Sequence, residues 1–106
     1  GKKVSELRIT KVEPRLISAY IEHTDIHEKL FLCMRLNKRS LEGTVENQEG
    51  KNIGYVDCIC EVKDSLLTIK GKITLLVSEE TYNYVENKVK YTGEVPAPLL
   101  SELQRQ

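Results

Sequence analysis

Two histidines and two cysteines come nearest to the spacing of a metal site in this sequence. Three residues separate His23 from His27, and one residue separates Cys58 from Cys60. Together they supply four nitrogen and sulfur ligands, the number that a tetrahedral zinc ion takes. Paired cysteines in zinc sites usually have two to four residues between them, so the fit is poor. We expect no metal and no cofactor, although the sequence does not decide whether the two pairs approach each other.

Cysteine and serine nucleophiles need a base and an orienting acid close by. Cys33 is predicted to lie on the same strand face as Phe31 and Arg35, and a neighbouring arginine can lower the pKa of a thiol and make it reactive. Nothing in the sequence places a base beside it, and inert packing is the simpler interpretation. The G-x-S-x-G elbow and the phosphate-binding P-loop are both absent from the sequence. We therefore expect no enzymatic activity and no small-molecule substrate.

Composition limits the classes of partner. The 106 residues suit one domain, and 16 basic residues balance 16 acidic ones. A formal charge of zero argues against strong generic attraction to nucleic acid or to an anionic membrane. No apolar run approaches the roughly 20 residues of a membrane-spanning helix. Three cysteines make a poor disulfide framework, which favours an intracellular protein, cytoplasmic or nuclear.

Alternation of apolar and polar residues with period two is the dominant pattern, and it is typical of half-buried strands. It is clearest over 67–77 and over 56–62, and Asp64-Ser65 between them predicts a tight hairpin. The sequence thus predicts a mainly β (α+β) fold, an antiparallel barrel or sandwich of five or six strands with a C-terminal helix. The predicted strands are 4–12, 16–21, 30–36, 41–46, 53–62 and 67–77.

A helix is predicted over 79–92, within a β-rich domain that spans 1–93. Ser78 is a suitable N-cap, and the two glutamates after it suit the positive end of the helix dipole. This helix would cover one open end or edge of the sheet. Its apolar stripe would be formed by Tyr82, Val85 and Val89.

The tail, 94–106, is rich in proline and leucine. Its first residues should be extended and its leucines should form a short helical turn, either packed back on the domain or docked on another protein. With no catalytic constellation in view, we expect a non-enzymatic interaction module for protein–protein binding or assembly, including self-association. The candidate partner-binding residues are Val95, Pro96, Pro98, Leu99, Leu100 and Leu103.

The alternative function is single-stranded nucleic-acid binding by an OB-like barrel. Such domains stack bases on exposed aromatic side chains flanked by cations. The zero net charge and the single phenylalanine count against it. The residues that would form this surface are Phe31, Arg35, Lys38, Arg39, Tyr55, Lys70 and Lys72.

Overall fold

Most of the described chain is extended, as the period-two alternation predicts. The structure is a computed structural model that describes residues 4–23, 28–78, 80 and 82–104. Within these described ranges, eight strands precede one short helix. They are β1 (Val4–Glu6), β2 (Arg8–Glu13), β3 (Leu16–His23), β4 (Glu28–Asn37), β5 (Ser40–Glu46), β6 (Asn52–Lys63), β7 (Leu66–Ser78), β8 (Asn83–Glu94) and α1 (Ala97–Gln104).

All eight strands belong to one curled sheet with the order β1-β8-β7-β6-β5-β4-β3-β2. From β2 to β8 each strand pairs antiparallel with the next, which makes a meander. The N-terminal segment links the two ends of this meander, because β1 pairs in parallel with β8 while β2 pairs with β3. Only the buried Leu7 lies between β1 and β2. The result is a half-barrel with one apolar and one polar face.

The inner face of the curl holds the hydrophobic core. Alternate residues of β4 are buried from Leu30 to Leu36, and the intervening side chains are exposed. The same alternation places Cys58 and Cys60 inward on β6, as the sequence predicts. Gly71 faces Cys58 across the β6–β7 ladder, where the two strands come too close for a larger side chain.

Tight turns connect the central strands. Asp64 and Ser65 both have positive φ angles, 54° and 66°, and they form the two-residue link between β6 and β7. Two consecutive positive φ values define a type I′ turn, whose twist matches that of the flanking strands. The hairpin that the sequence predicts at this point is confirmed.

Three parts of the predicted fold need correction. The strands number eight, and they form a single sheet, so the sandwich alternative is wrong. An OB-like barrel is wrong as well, because that fold is a five-stranded Greek key and this sheet is a meander. The helix predicted over 79–92 is also wrong, since Asn83–Glu94 is the strand β8. Tyr, Val and Thr are frequent in this segment, and they favour strands.

The helix that covers the core lies in the tail. Leu99 of α1 is 0% exposed, and Val95 and Leu103 are partly buried against the core. The amide of Leu99 donates a hydrogen bond to the carbonyl of Pro96 at 2.9 Å, which tightens the start of the helix. α1 contacts β2. The tail is therefore packed back on the domain.

Candidate functional site

The outer face of the sheet carries most of the exposed polar side chains of the strands. Side chains on this face line up across neighbouring strands, because the pairing register from β4 to β8 shifts only near strand ends, at Val45/Glu46 and at Leu76/Ser78. Five of the residues named for nucleic-acid binding lie on this face: Phe31, Arg35, Tyr55, Lys70 and Lys72. One cross-strand row contains Arg35, Glu42, Asp57, Lys72 and Lys88. The row is basic at both ends and acidic in the middle, where Glu42 and Asp57 are neighbours.

Lys38 and Arg39 lie apart from the others, in the turn between β4 and β5. Lys38 has a φ of 57°, a turn conformation, and the Arg39 carbonyl accepts a hydrogen bond from the Cys60 amide at 2.7 Å. Their side chains are exposed. The structure thus leaves this pair outside the cross-strand rows that hold Lys70 and Lys72.

Four lysines meet on the outer face of the β7–β8 hairpin, and we call them the lysine block. Lys70 is directly opposite Lys90, and Lys72 is directly opposite Lys88. Lys88 and Lys90 were not among the predicted binding residues, because both fall in the segment that was predicted to be a helix. Their alternation with Val89 was the signal that could have found them.

An open cleft of about 680 Å³ lies on the outer face over β4, β5 and β6. Arg35, Glu42 and Asp57 occupy neighbouring strands along its base. Tyr55 and Cys33 also line it, and both are exposed. Its walls offer both signs of charge and an aromatic ring. This cleft adjoins the lysine block, because Asp57 is the direct neighbour of Lys72.

Aromatic rings and cations also meet at the β3–β4 end of the face. The rings of Tyr20 and Phe31 have centroids 6.5 Å apart at an interplanar angle of 48°. The ammonium group of Lys29 lies 4.9 Å from the centroid of Tyr20, a cation–π distance. Phe31 is therefore part of a small packed group, although much of its ring remains exposed.

The far end of the β7–β8 hairpin, which we call the hairpin tip, exposes three large side chains. Tyr82 is 72% exposed, Tyr84 is 54% exposed and Val85 is 46% exposed. Tyr82 has a φ of 51° and belongs to the turn, and the other two belong to β8. Tyrosine is enriched among the residues that dominate protein–protein interfaces.

The edge of β8 is only partly covered. β1 pairs with residues 88–90, and among the described residues no strand pairs with 84–86 on the side away from β7. The Leu7 amide donates to the Lys90 carbonyl at 2.8 Å, so the even-numbered residues of β8 direct their backbone groups away from β7. Tyr84 and Glu86 accordingly present N–H and C=O groups at the edge.

The three cysteines differ in environment. Burial raises the pKa of the Cys58 thiol from 9.0 to about 12, helped by the carboxylate of Asp57, while a backbone hydrogen bond at Lys72 acts in the opposite direction. Burial, together with Glu61, raises the pKa of Cys60 to about 11. Both thiols stay protonated at neutral pH, and a protonated thiol is a poor nucleophile.

The two histidines of the possible zinc site lie outside what the structure describes, since it includes neither His27 nor the side chain of His23. Among the side chains that the structure describes, no group of three or more His, Cys, Asp and Glu residues could hold a metal ion. The inward direction of Cys58 and Cys60 places both thiols in the hydrophobic core.

The residues named for partner binding in the tail are divided by the fold of α1. Leu99 is fully buried, whereas Pro98 and Leu100 are exposed. Leu103, Val95 and Pro96 are half-buried. Only the exposed residues of this group are accessible to another molecule while α1 is packed on the core.

No helix within the described ranges is long and apolar enough to cross a membrane. No protein-family model, curated protein or solved structure matches the chain.

Proposed function

We propose that the protein is a non-enzymatic interaction module that assembles with a second copy of itself through the edge of β8. The observation that carries the proposal is the edge of β8 at residues 84–86. Among the residues that the structure describes, no strand pairs with this segment on the side away from β7, and exposed apolar side chains lie beside it. An open strand edge is a template for another strand, and natural proteins usually block it with charge, proline or a covering segment.

The register of such a dimer follows from the backbone directions. Residues that direct N–H and C=O outward must face one another, so Tyr84 of one copy pairs with Glu86 of the second copy. The two-fold axis then passes beside Val85, which meets Val85 of the second copy in a non-hydrogen-bonded pair. An axis at Glu86 would place Tyr84 against Lys88, which β1 already occupies. An axis at Tyr84 would place Glu86 against Tyr82, which lies in the turn.

The side chains are compatible with this register. Val85 would lose its exposed surface against its own counterpart, and valine pairs stabilise antiparallel neighbours. The interface is short, so it belongs to the small and weak class of protein–protein contacts. We expect a dimer that forms with rising concentration and dissociates on dilution.

Sedimentation equilibrium over a series of concentrations tests the proposal. The average mass of the wild-type protein should rise from 12.1 kDa towards that of a dimer. Val85→Lys should remain monomeric, because it places two like charges at the axis and lysine blocks edge pairing.

The matched control is Val62→Lys on β6, since Val62 is 40% exposed and lies away from the β8 edge. This variant should associate like the wild type. A wild-type protein that is monomeric at every concentration would overturn the proposal, as would a Val85→Lys protein that associates like the wild type.

A further inference from the structure

The lysine block is an unfavourable arrangement within the fold itself. Side chains directly opposite each other on one sheet face lie about 4.5–5.5 Å apart at Cβ, and like charges in this position are destabilising. The hairpin contains two such pairs in succession, Lys70 with Lys90 and Lys72 with Lys88. All four lysines are exposed. Folding brings these four cations together and gains nothing from their proximity.

Neighbouring acidic side chains reduce the repulsion within the lysine block only in part. The ammonium group of Lys72 lies 3.1 Å from a carboxylate oxygen of Glu86, and Asp57 is its neighbour on β6. Glu6 is the neighbour of Lys90 on β1. The other two lysines have apolar neighbours in the same rows. Ile59 lies beside Lys70 and Val4 beside Lys88.

Exposed aromatic rings lie on the same face as the lysine block. Tyr55 is opposite Thr74, which follows Lys72 on the same side of β7 and is itself buried. Tyr84 lies on β8 beyond Glu86, towards the hairpin tip. More than half of each tyrosine side chain is exposed. Cations and exposed rings are therefore neighbours on one surface of three adjacent strands.

We infer that this face binds single-stranded nucleic acid. The lysine block contacts successive phosphates, and Tyr55 and Tyr84 stack against bases. This combination of a cationic track and sequence-tolerant stacking is how single strands are held without reading their sequence. A duplex would keep its bases stacked inside and leave the two tyrosines unused. The proposed dimer uses the backbone edge of β8 at Tyr84 and Glu86 and does not involve the side chains of the lysine block.

The strength and salt dependence of binding follow from the number of phosphates contacted. Each contact on a single strand contributes about 0.7 to the slope of log affinity against log salt concentration, so four lysines give a slope of about −3. Removing two lysines should lower that slope by about 1.4 and weaken binding on the order of 50-fold at ~0.05 M salt.

Fluorescence anisotropy with a labelled oligothymidine measures this directly. The test variant is the double substitution Lys70→Gln with Lys90→Gln, which removes one opposed pair. This variant should bind the oligonucleotide more weakly, on the order of 50-fold at ~0.05 M salt. It should nevertheless unfold at the same or a higher denaturant concentration, because the repulsion between Lys70 and Lys90 is removed. The control is Lys11→Gln with Lys51→Gln, which changes the net charge equally at exposed positions outside the block and should bind like the wild type.

Tyr55→Leu separates stacking from charge, since it should weaken binding and leave the salt slope unchanged. Three results would each overturn the inference. They are no binding of oligothymidine by the wild type at low salt, equal weakening by the test and control variants, and binding to anionic phosphatidylserine vesicles without binding to the oligonucleotide.

Discussion

Replacement of Leu99 by alanine should destabilise the whole domain, although Leu99 lies in a C-terminal helix of only eight residues. The side chain is 0% exposed in the core, so its full transfer free energy is lost. Leu→Ala removes three carbon atoms at about 0.8 kcal/mol each, and the cavity that remains adds to this. We expect a loss of about 3 kcal/mol in the free energy of unfolding, which corresponds to a fall in Tm of roughly 12 °C.

The adjacent residue provides the control for this prediction. Leu100 is 42% exposed on the same helix, so Leu100→Ala leaves no internal cavity and should cost about 1 kcal/mol or less. Urea unfolding followed by circular dichroism measures both variants, and the wild-type protein sets the reference. Equal losses in the two variants, or a loss below about 1 kcal/mol at Leu99, would refute the account of the tail as part of the core.

Three further predictions concern the cysteines and Gly71. In the native protein the exposed Cys33 should react with an aromatic disulfide at pH 8, while the buried Cys58 and Cys60 should not. The pKa of about 12 for Cys58 and of about 11 for Cys60 leaves ~0.1% or less of either thiol as thiolate at this pH. The unfolded chain releases those two protons near pH 9, so the free energy of unfolding should fall between pH 9 and 11, at about 1.4 kcal/mol per pH unit for each thiol. Urea titrations at several pH values compare the wild type with the double variant Cys58→Ala/Cys60→Ala. An equal slope of the free energy of unfolding against pH in the two proteins would contradict the prediction. Gly71→Ala should lower the free energy of unfolding by more than about 1 kcal/mol, because the new Cβ would overlap the Asp57 carbonyl oxygen and lie 2.7 Å from the Cys58 sulfur. Urea unfolding measures this loss. A urea midpoint equal to that of the wild type would contradict the prediction and show that the two strands can move apart.

The β6–β7 ribbon could be predicted from the sequence because its signals are local. Alternation assigns each side chain of 56–62 and 67–77 to one face of the sheet. Asp64-Ser65 supplies a two-residue turn with positive φ values, whose twist matches that of the two strands it joins. The inward direction of Cys58 and Cys60 followed from parity alone. Nothing in the rest of the chain had to be known for these inferences.

The segment after Ser78 was mispredicted because two periodicities coexist there. Tyr82, Val85 and Val89 fall at helical spacing, while Val89 and Tyr91 fit a strand. The decision between them is not local, since it depends on whether β7 has an unpaired edge that needs a partner. In the folded chain that edge is filled by β8, and the hydrogen bonds of β7 outweigh a good helix start.

The same error hid half of the lysine block. Which lysines oppose one another depends on strand register, and register is set by the turn and by the core together. Lys70 and Lys72 could be named from their own strand. Alternation with Val89 could have assigned Lys88 and Lys90 to a strand face, but their positions opposite Lys72 and Lys70 follow only from the pairing of β8. The open edge at residues 84–86 could not be predicted either, because within the described part of the chain it depends on how far β1 extends along β8.

Amide hydrogen exchange along β8, measured residue by residue by NMR at several protein concentrations, tests the proposed assembly most directly. In the single chain the amides of Val85 and Asn87 point towards β7, whereas those of Tyr84 and Glu86 point outward. The account predicts that protection of Tyr84 and Glu86 rises with concentration while that of Val85 changes little, and that Val85→Lys abolishes the rise. Exchange of the Tyr84 and Glu86 amides that is independent of concentration would contradict it.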